Sequence, residues 1–455
     1  MDQFLRDPDR NTLLFVHDIQ VRSRDDIYQA IARSSAILKR DLKVLIVTDI
    51  KDRKDRSSSL PEGFDRIRVN TSSVRQLEKA LLPYLDKLLA VVCTTEKSIP
   101  YLRNIIPHVP YLDAPTVESL EWATDKIMMR RRLRIFNKQT SPEYTIVEDM
   151  SPASIDKIKK VGFPLIVKPA GLAASVLVSV CYYEDELTAV LKKTFARLNS
   201  VYRERSGRGT PAILVEQFME GRMYSVDIYV NSRGTMYATP LVYVLTAFAA
   251  GREDFYSYKA ITPVTLKMHH QQKATVVAKE AVKALGLRST TAHVELMQTD
   301  EGWKVIEVGP RVGGFRHDLL KLSFGIDHWL NDILIRLPMR PRIPRKVKGY
   351  SAAVKFYPDK EGIVKKINGL GKLRQLESYE KHRVEIQVGN VSRFARNGGV
   401  AVLYLILFNK KRSDLLADIR RAEKAIKIEV GPMRQKATPP LEIVTEITQE
   451  MLADK

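Results

Sequence analysis

Glu295 and Glu307, twelve positions apart, are the residues whose placement most invites a chemical explanation. They lie in "HVELMQTDEGWKVIEVGPRVGGF", residues 293–315, within two short runs rich in strand formers, Ala292 to Met297 and Trp303 to Val308. Asp300-Glu301-Gly302 separates the runs. A three-residue hairpin loop with glycine in the left-handed position is a common solution for that spacing. Such a loop pairs Thr299 with Trp303 and sets Glu295 opposite Glu307 on one face of the ribbon. Facing residues lie roughly 5 Å apart, and like charges there repel. A cation between them resolves the conflict. Hard carboxylate oxygens suit Mg²⁺ or Mn²⁺, and Mg²⁺ is usually held by one or two carboxylates together with substrate phosphates. A longer solvent-facing hairpin, or a four-residue loop with the acids on opposite faces, is the alternative left open.

The elements that must position this pair follow from hydrophobic periodicity. Over the first 120 residues the strand-like runs "TLLFVHD", "KVLIVTD", "DRIRV" and "LLAVVCTT" alternate with stretches of helical spacing, "DDIYQAIARSSAILKR" and "SVRQLEKALLPYLDKL". That alternation predicts a small doubly wound parallel sheet. No glycine fingerprint follows the first strand, which argues against a dinucleotide site of the Rossmann kind. A new unit begins near Thr124, with helices at "ATDKIMMRRRLRIFNKQ", "SPASIDKIKKV", "EDELTAVLKKTFARL" and "QQKATVVAKEAVKALGL". Its expected strands are "FPLIVKPAG", "SVLVSVCYY", "AILVEQFMEG", "MYSVDIYVN" and "MYATPLVYVLTAF". The proline-rich, basic "PMRPRIPRKVK" reads as a linker to a mixed C-terminal part.

The chain has 455 residues and 44% hydrophobic content, ordinary for a soluble protein of about three domains. No apolar run approaches the ~18 residues of a membrane span. The start, "MDQFLRDPDR", has no secretory pattern. The two cysteines, Cys93 and Cys181, sit in apolar strand-like runs and read as buried small hydrophobes. A cytoplasmic protein is the expectation. The net charge of +21 favours anionic partners, with nucleic acid among them but not preferred. Runs such as Arg130-Arg131-Arg132 read as solvated faces. A homodimer is compatible with the sequence, which does not fix the oligomeric state.

Taken in order, "DK…MR", "FPLIVKPAG", "ILVEQFMEGRMYSVD" and "HVEL…VIEVGPRVGG" resemble the ATP-grasp superfamily in its carboxylate–amine ligase branch, with the ATP-binding fold of carbamoyl-phosphate synthase and biotin carboxylase. The resemblance covers residues 1 to 340. It implies a mixed α/β and α+β protein: a pre-ATP-grasp domain over 1–120, and an ATP-grasp domain over 121–340 with lobes at 121–212 and 213–340. A small α+β domain over 341–455 completes the expected arrangement. The implied ligands are ATP and Mg²⁺ or Mn²⁺, with a small-molecule carboxylate and an amine as substrates.

Residue by residue, the resemblance makes Lys126 and Lys168 nucleotide lysines, the second reaching the α- and β-phosphates. Gly171 and Ser175 fall in the loop that covers the phosphates. Glu216, Gln217, Phe218 and Met219 form the hinge that reads the adenine edge, Glu216 accepting from its amino group. Met297 and Ile306 sandwich the base, and Tyr224 approaches the ribose. Glu295 and Glu307 hold the metal. Arg311 steadies the transferring phosphate, the step at which electrostatic stabilisation matters most. Gly313 and Gly314 let the backbone approach substrate. Arg316 and His317 stand at the mouth as carboxylate contacts, while Tyr256, Tyr258 and Lys259 either face substrate or belong to surface packing. The chain departs from the family at Gly309, where asparagine is usual, at Met223, where an acid is usual, and in its glycine-poor loop from Gly171 to Ser175. A bicarbonate-using carboxylase, or a nucleotide- or nucleic-acid-binding protein with a decayed site, is the alternative function.

Overall fold

Leu13 and Phe15 project from one face of the first strand, and Leu14 and Val16 from the other. The first pair packs with Ile27 and Ile31 of the helix Arg24–Leu38, the second with residues of the helices Val74–Leu81 and Ile99–Ile105. Burial on both faces is why three of the sheet's four strands, this one among them, read as unbroken apolar runs, the charged edge strand excepted. They form a parallel sheet in the order β3-β2-β1-β4, with β1 Thr12–Val16, β2 Lys43–Asp49, β3 Phe64–Val69 and β4 Leu88–Val92. The computed structural model describes residues 7–17, 19, 23–51, 60–172, 176–205, 211–252 and 254–433. The doubly wound N-terminal sheet expected from the sequence is present. The helical pattern expected over 73–88 stops at Leu81 and tightens into a 3₁₀ turn, Leu82–Tyr84, because Pro83 has no amide to continue it.

A second, antiparallel sheet has the order β5-β8-β6-β7, with β5 Tyr144–Val147, β6 Leu165–Pro169, β7 Ser179–Cys181 and β8 Ile213–Gln217. Cys93 and Cys181 are both buried, as their apolar runs imply.

The third sheet has nine strands and carries the acid pair. They are β9 Arg222–Val230, β10 Met236–Ala238, β11 Val242–Thr246, β12 Ser257–Thr262, β13 Thr290–Thr299, β14 Gly302–Gly309, β15 Tyr350–Phe356, β17 Tyr379–Val384 and β19 Leu403–Asn409. Their order is β14-β13-β9-β11-β12-β15-β19-β17, with β10 paired to β9. The run expected as one strand, "MYATPLVYVLTAF", breaks at Thr239-Pro240 into β10 and β11, since proline cannot donate to a ladder. Three further strands, β16 Gly362–Asn368, β18 Val391–Ser392 and β20 Lys427–Gly431, make a small antiparallel sheet.

Residues 338–348 contain no helix or strand, as their composition implies, yet they are fastened. The Asn331 amide donates to the Arg342 carbonyl at 2.9 Å and accepts from the Arg342 N–H at 2.8 Å. Beyond this segment β15 pairs with β12, so the chain rejoins the same sheet. The helix His328–Arg336 sits between the parallel and nine-stranded sheets. Trp329, Ile333 and Leu334 pack with Leu13 and Phe15, while Asp332 accepts from Thr291 Oγ1 of β13 at 2.6 Å. Arg336, 1% exposed, donates to the Val91 carbonyl on β4 at 3.3 Å and to the Ser289 carbonyl beside β13 at 3.4 Å. Among the described residues no helix is long and apolar enough to cross a membrane.

Candidate active site

Glu295 faces Glu307 across β13 and β14. The turn that brings them together is tighter than the sequence suggested: Thr299 faces Gly302, leaving Asp300-Glu301 as a two-residue turn. That pairing alone would put the acids out of register. A bulge corrects it, because Leu296 faces Val305 while Glu295 faces Glu307, and Ile306 is the extra residue. Their side chains are 29% and 34% exposed, far more open than the fully buried Val294, Leu296, Val305 and Val308 beside them. Antiparallel partners share a face, so His293 and Met297 of β13 and Ser225 of β9 line the same side as Glu295. Met297 and Ile306 are both half-buried there.

Lys126 opens the helix Lys126–Phe136, capped by Asp125, whose carboxylate accepts from the Ile127 and Met128 amides. Its Nζ lies 3.1 Å from Glu307 Oε1 and donates to the Leu172 carbonyl at 2.8 Å. Burial disfavours its charge, but Glu307, Glu96 and Glu216 outweigh that and hold its pKa above the ordinary lysine value. One helical turn further on is Arg130, fully buried and not part of a solvated face as its triple-arginine run suggested. Its guanidinium contacts both Glu216 oxygens, at 2.5 and 3.2 Å, and donates to the Val305 and Ile306 carbonyls, each at 2.9 Å. Those carbonyls belong to the bulge, so Arg130 satisfies the backbone groups that the irregular register would otherwise strand.

Lys168, on β6, completes this buried group with its Nζ 2.7 Å from Glu216 Oε2. Burial would raise the Glu216 pKa, but Arg130 and Lys168 bring it down to about 2. Desolvation lowers the Lys168 pKa, with Glu216 opposing and Arg130 and Lys126 assisting. Glu216 is 1% exposed with both oxygens engaged, so it is not placed to accept from an adenine amino group as expected. Next along the hinge, the Gln217 amide donates to the Glu143 carbonyl and the Phe218 amide to the Pro164 carbonyl, each at 2.9 Å. Those two N–H groups are committed to the second sheet, and Met219 is the hinge residue beyond them.

Arg311 is held by Glu96, whose Oε2 lies 3.0 Å from Nη2, reaching across from the N-terminal unit. A side chain at Gly309 would come against this guanidinium. Arg316 donates from Nε to Ser225 Oγ at 3.0 Å and from Nη1 to the Gly314 carbonyl at 3.0 Å. Behind them runs a buried polar chain that sequence reading did not single out. His293 Nε2 lies 3.5 Å from Glu295, and its Nδ1 lies 2.5 Å from Asp227. The other Asp227 oxygen lies 2.5 Å from His328 Nε2 and accepts from the Gly313 amide at 2.9 Å. His328 Nδ1 reaches the Tyr229 hydroxyl at 2.7 Å. Burial opposes ionisation of Asp227, yet the two histidines hold its pKa well below the carboxylate range. In return Asp227 holds His293 above its usual value against desolvation. Among the described residues no group of three or more His, Cys, Asp or Glu has the disposition of a metal cluster, so the acid pair stands as a two-carboxylate arrangement.

Residues 161–318 match the family model for the ATP-grasp domain. The resemblance read from the sequence is thus matched over this stretch of the chain. An uncharacterised protein of Sinorhizobium fredii is 24% identical over 329 residues, covering 70% of this chain and 64% of its own. The alanine–anticapsin ligase of Bacillus amyloliquefaciens is 26% identical over 226 residues, 46% of each chain. The chain therefore spans less than two thirds of the length of either relative. In three dimensions it superimposes on the L-amino acid ligase of Bacillus licheniformis with a TM-score of 0.75 at 18% identity, covering 93% of this chain and all of the other.

Several ATP-grasp positions are built differently from expectation. Tyr224 does not approach the acid face. Strand alternation turns it to the opposite side, 4% exposed, against Trp303 and Tyr243. The Gly171 amide, expected near phosphate, donates to the Tyr202 hydroxyl at 2.6 Å. Ser175 lies outside the described residues. Gly313 is required by the protein itself, since a methyl there would run into His293 and Arg316. Gly314 is exposed, with open space on its side-chain side. His317 is not at the mouth: it is buried, its Nε2 3.2 Å from Asp26 of the helix Arg24–Leu38. Tyr256 and Tyr258 pack with the C-terminal strands, and Tyr258 and Lys259 both reach Glu423 Oε1 at 2.6 Å.

Proposed function

We propose that the chain is an ATP- and Mg²⁺-dependent ligase that joins a carboxylate to an amine through an acyl phosphate, of the amino-acid or dipeptide type. The observation that carries this reading is the facing pair Glu295 and Glu307, half-open on a face that also bears Lys126, Arg311 and Arg316. The donor set fits a small divalent ion, because two carboxylates supply hard oxygens and leave room for phosphate and water. Glu295 and Glu307 would hold that ion, which when bound neutralises charge on the phosphates. The names of the similar proteins, an alanine–anticapsin ligase and an L-amino acid ligase, support the same reaction class.

The protein's own part is positioning and fixed charge. Lys126 offers a point charge to phosphate oxygens, and Lys168 has donors beyond its bond to Glu216. Met219 is the hinge amide for the adenine edge, with Met297 and Ile306 against the base. A substrate carboxylate oxygen attacks the γ-phosphorus, and the bond to the ADP oxygen breaks. The amine nitrogen then attacks the acyl carbon, phosphate leaves with the C–O bonding pair, and the nitrogen loses a proton. Arg311, steadied by Glu96, and Arg316, steadied by Ser225, place positive charge where these oxyanions form. The test is co-dependence. Purified protein with Mg²⁺ and ATP should release ADP and phosphate when a panel carboxylate and amine are supplied together. Release with bicarbonate alone would replace this reading with a carboxylase, and nucleotide binding without turnover across a broad amino-acid panel would overturn it.

A further inference from the structure

On the side of the nine-stranded sheet opposite the acid pair lies a cavity of about 380 Å³. Tyr224, Tyr243 and Ile261 form its floor, because they alternate with the strand residues of the acid face. Leu416 and Ile419 of the helix Arg412–Ala425 wall it. Four cationic side chains line it: Arg222, Lys259, Arg412 and Arg420. Lys259 is matched by Glu423 at 2.6 Å, and that same carboxylate oxygen also accepts from Tyr258. For Arg222, Arg412 and Arg420 the described residues include no carboxylate partner. On the helix, Arg412, Leu416 and Arg420 recur every four residues and so present one face to the cavity.

Arg222, Arg412 and Arg420 are solvent-exposed at its edge, and like charges bordering one cavity favour an anionic occupant. The guanidinium fork is the side chain best matched to carboxylate and phosphate oxygens. We propose that this cavity binds a small anion bearing two or more oxyanion charges, carried on phosphate or carboxylate groups. Its volume falls within the range of small-molecule sites, roughly 300–1,000 Å³. The intervening sheet separates it from Glu295 and Glu307, so its occupant is not a reacting group of the proposed ligase.

The experiment is calorimetric titration of the full chain with inorganic pyrophosphate and, separately, with citrate, at about 0.15 M salt, where loose surface charge is screened. One equivalent is expected to bind. R412A/R420A should weaken it by at least ~10-fold, as loss of charge-assisted hydrogen bonds implies. R412K/R420K should fall between, keeping charge but losing the fork. Mg²⁺–ATP binding should be unchanged in both variants, which also reports that they are folded. Tighter pyrophosphate assigns the site to phosphates, and tighter citrate to carboxylates. Absence of saturable binding by either anion, or equal affinity in R412A/R420A, overturns the proposal. Absence of ligase turnover leaves this test unaffected.

Discussion

Two neighbouring groups of charge are built on opposite plans. Arg130, Glu216 and Lys168 are almost wholly buried and satisfy one another, with the remaining guanidinium donors on the Val305 and Ile306 carbonyls. Glu295 and Glu307 are half-open, and among the described residues each is ion-paired with one side chain, His293 and Lys126 respectively. A carboxylate with every lone pair engaged has nothing left to offer a ligand, whereas one held on a single side does. The closed group is therefore built as a frame, and the open pair keeps oxygens available to a ligand. The frame serves the pair directly, since it stabilises the bulge that turns Glu295 and Glu307 to the same face.

The contrast can be broken by substitution. Glu216→Gln leaves two buried cations without their counter-charge and should destabilise the protein by about 3–5 kcal/mol in denaturant titration. Glu295→Gln should do the reverse: a fall in turnover of about 10²- to 10³-fold with unfolding free energy within about 1 kcal/mol of wild type. If Glu295→Gln unfolds the protein while Glu216→Gln abolishes only activity, the roles are interchanged. Gly313→Ala should cost about 1–3 kcal/mol by overpacking against His293 and Arg316, read as a lower melting temperature.

Acid sharpens the comparison further. With its folded pKa depressed to about 2, Glu216 contributes stability that is fully present above its ordinary value of 4.5 and lost as pH falls from there. His293 has the opposite sign. Its raised pKa contributes below 6.5 and is lost as pH climbs through the folded value. Stability measured against pH should lose its acid limb selectively in Glu216→Gln. The smallest effect expected is that of Tyr224→Phe on ATP affinity, within about 0.5 kcal/mol by titration, because the ring lies behind the sheet.

The doubly wound N-terminal sheet and the facing acids were legible in the sequence because both follow from local periodicity. The pair came out correctly although the loop was misjudged: the one-residue error in the turn is undone by the bulge, which depends on Arg130 from a distant helix. Arg130 itself was hidden by its charged neighbours. Only Arg131 fits the solvated reading, since Arg132 stacks 4.0 Å over Trp122. The available signal was spacing, with Lys126, Met129, Arg130 and Leu133 on one helical face. Tyr224 was misplaced because the face of a strand is fixed by its partner, and the pairing of β9 with β13 spans a long stretch of chain. The same holds for Asp227, His293 and His328, which meet only after three separate elements are folded together.

Arg336 gives the molecule a mechanical property. By donating to carbonyls of the parallel sheet and of the segment entering β13, one buried side chain rivets the first and third sheets together. Those two sheets should melt as one cooperative block, with a single calorimetric transition.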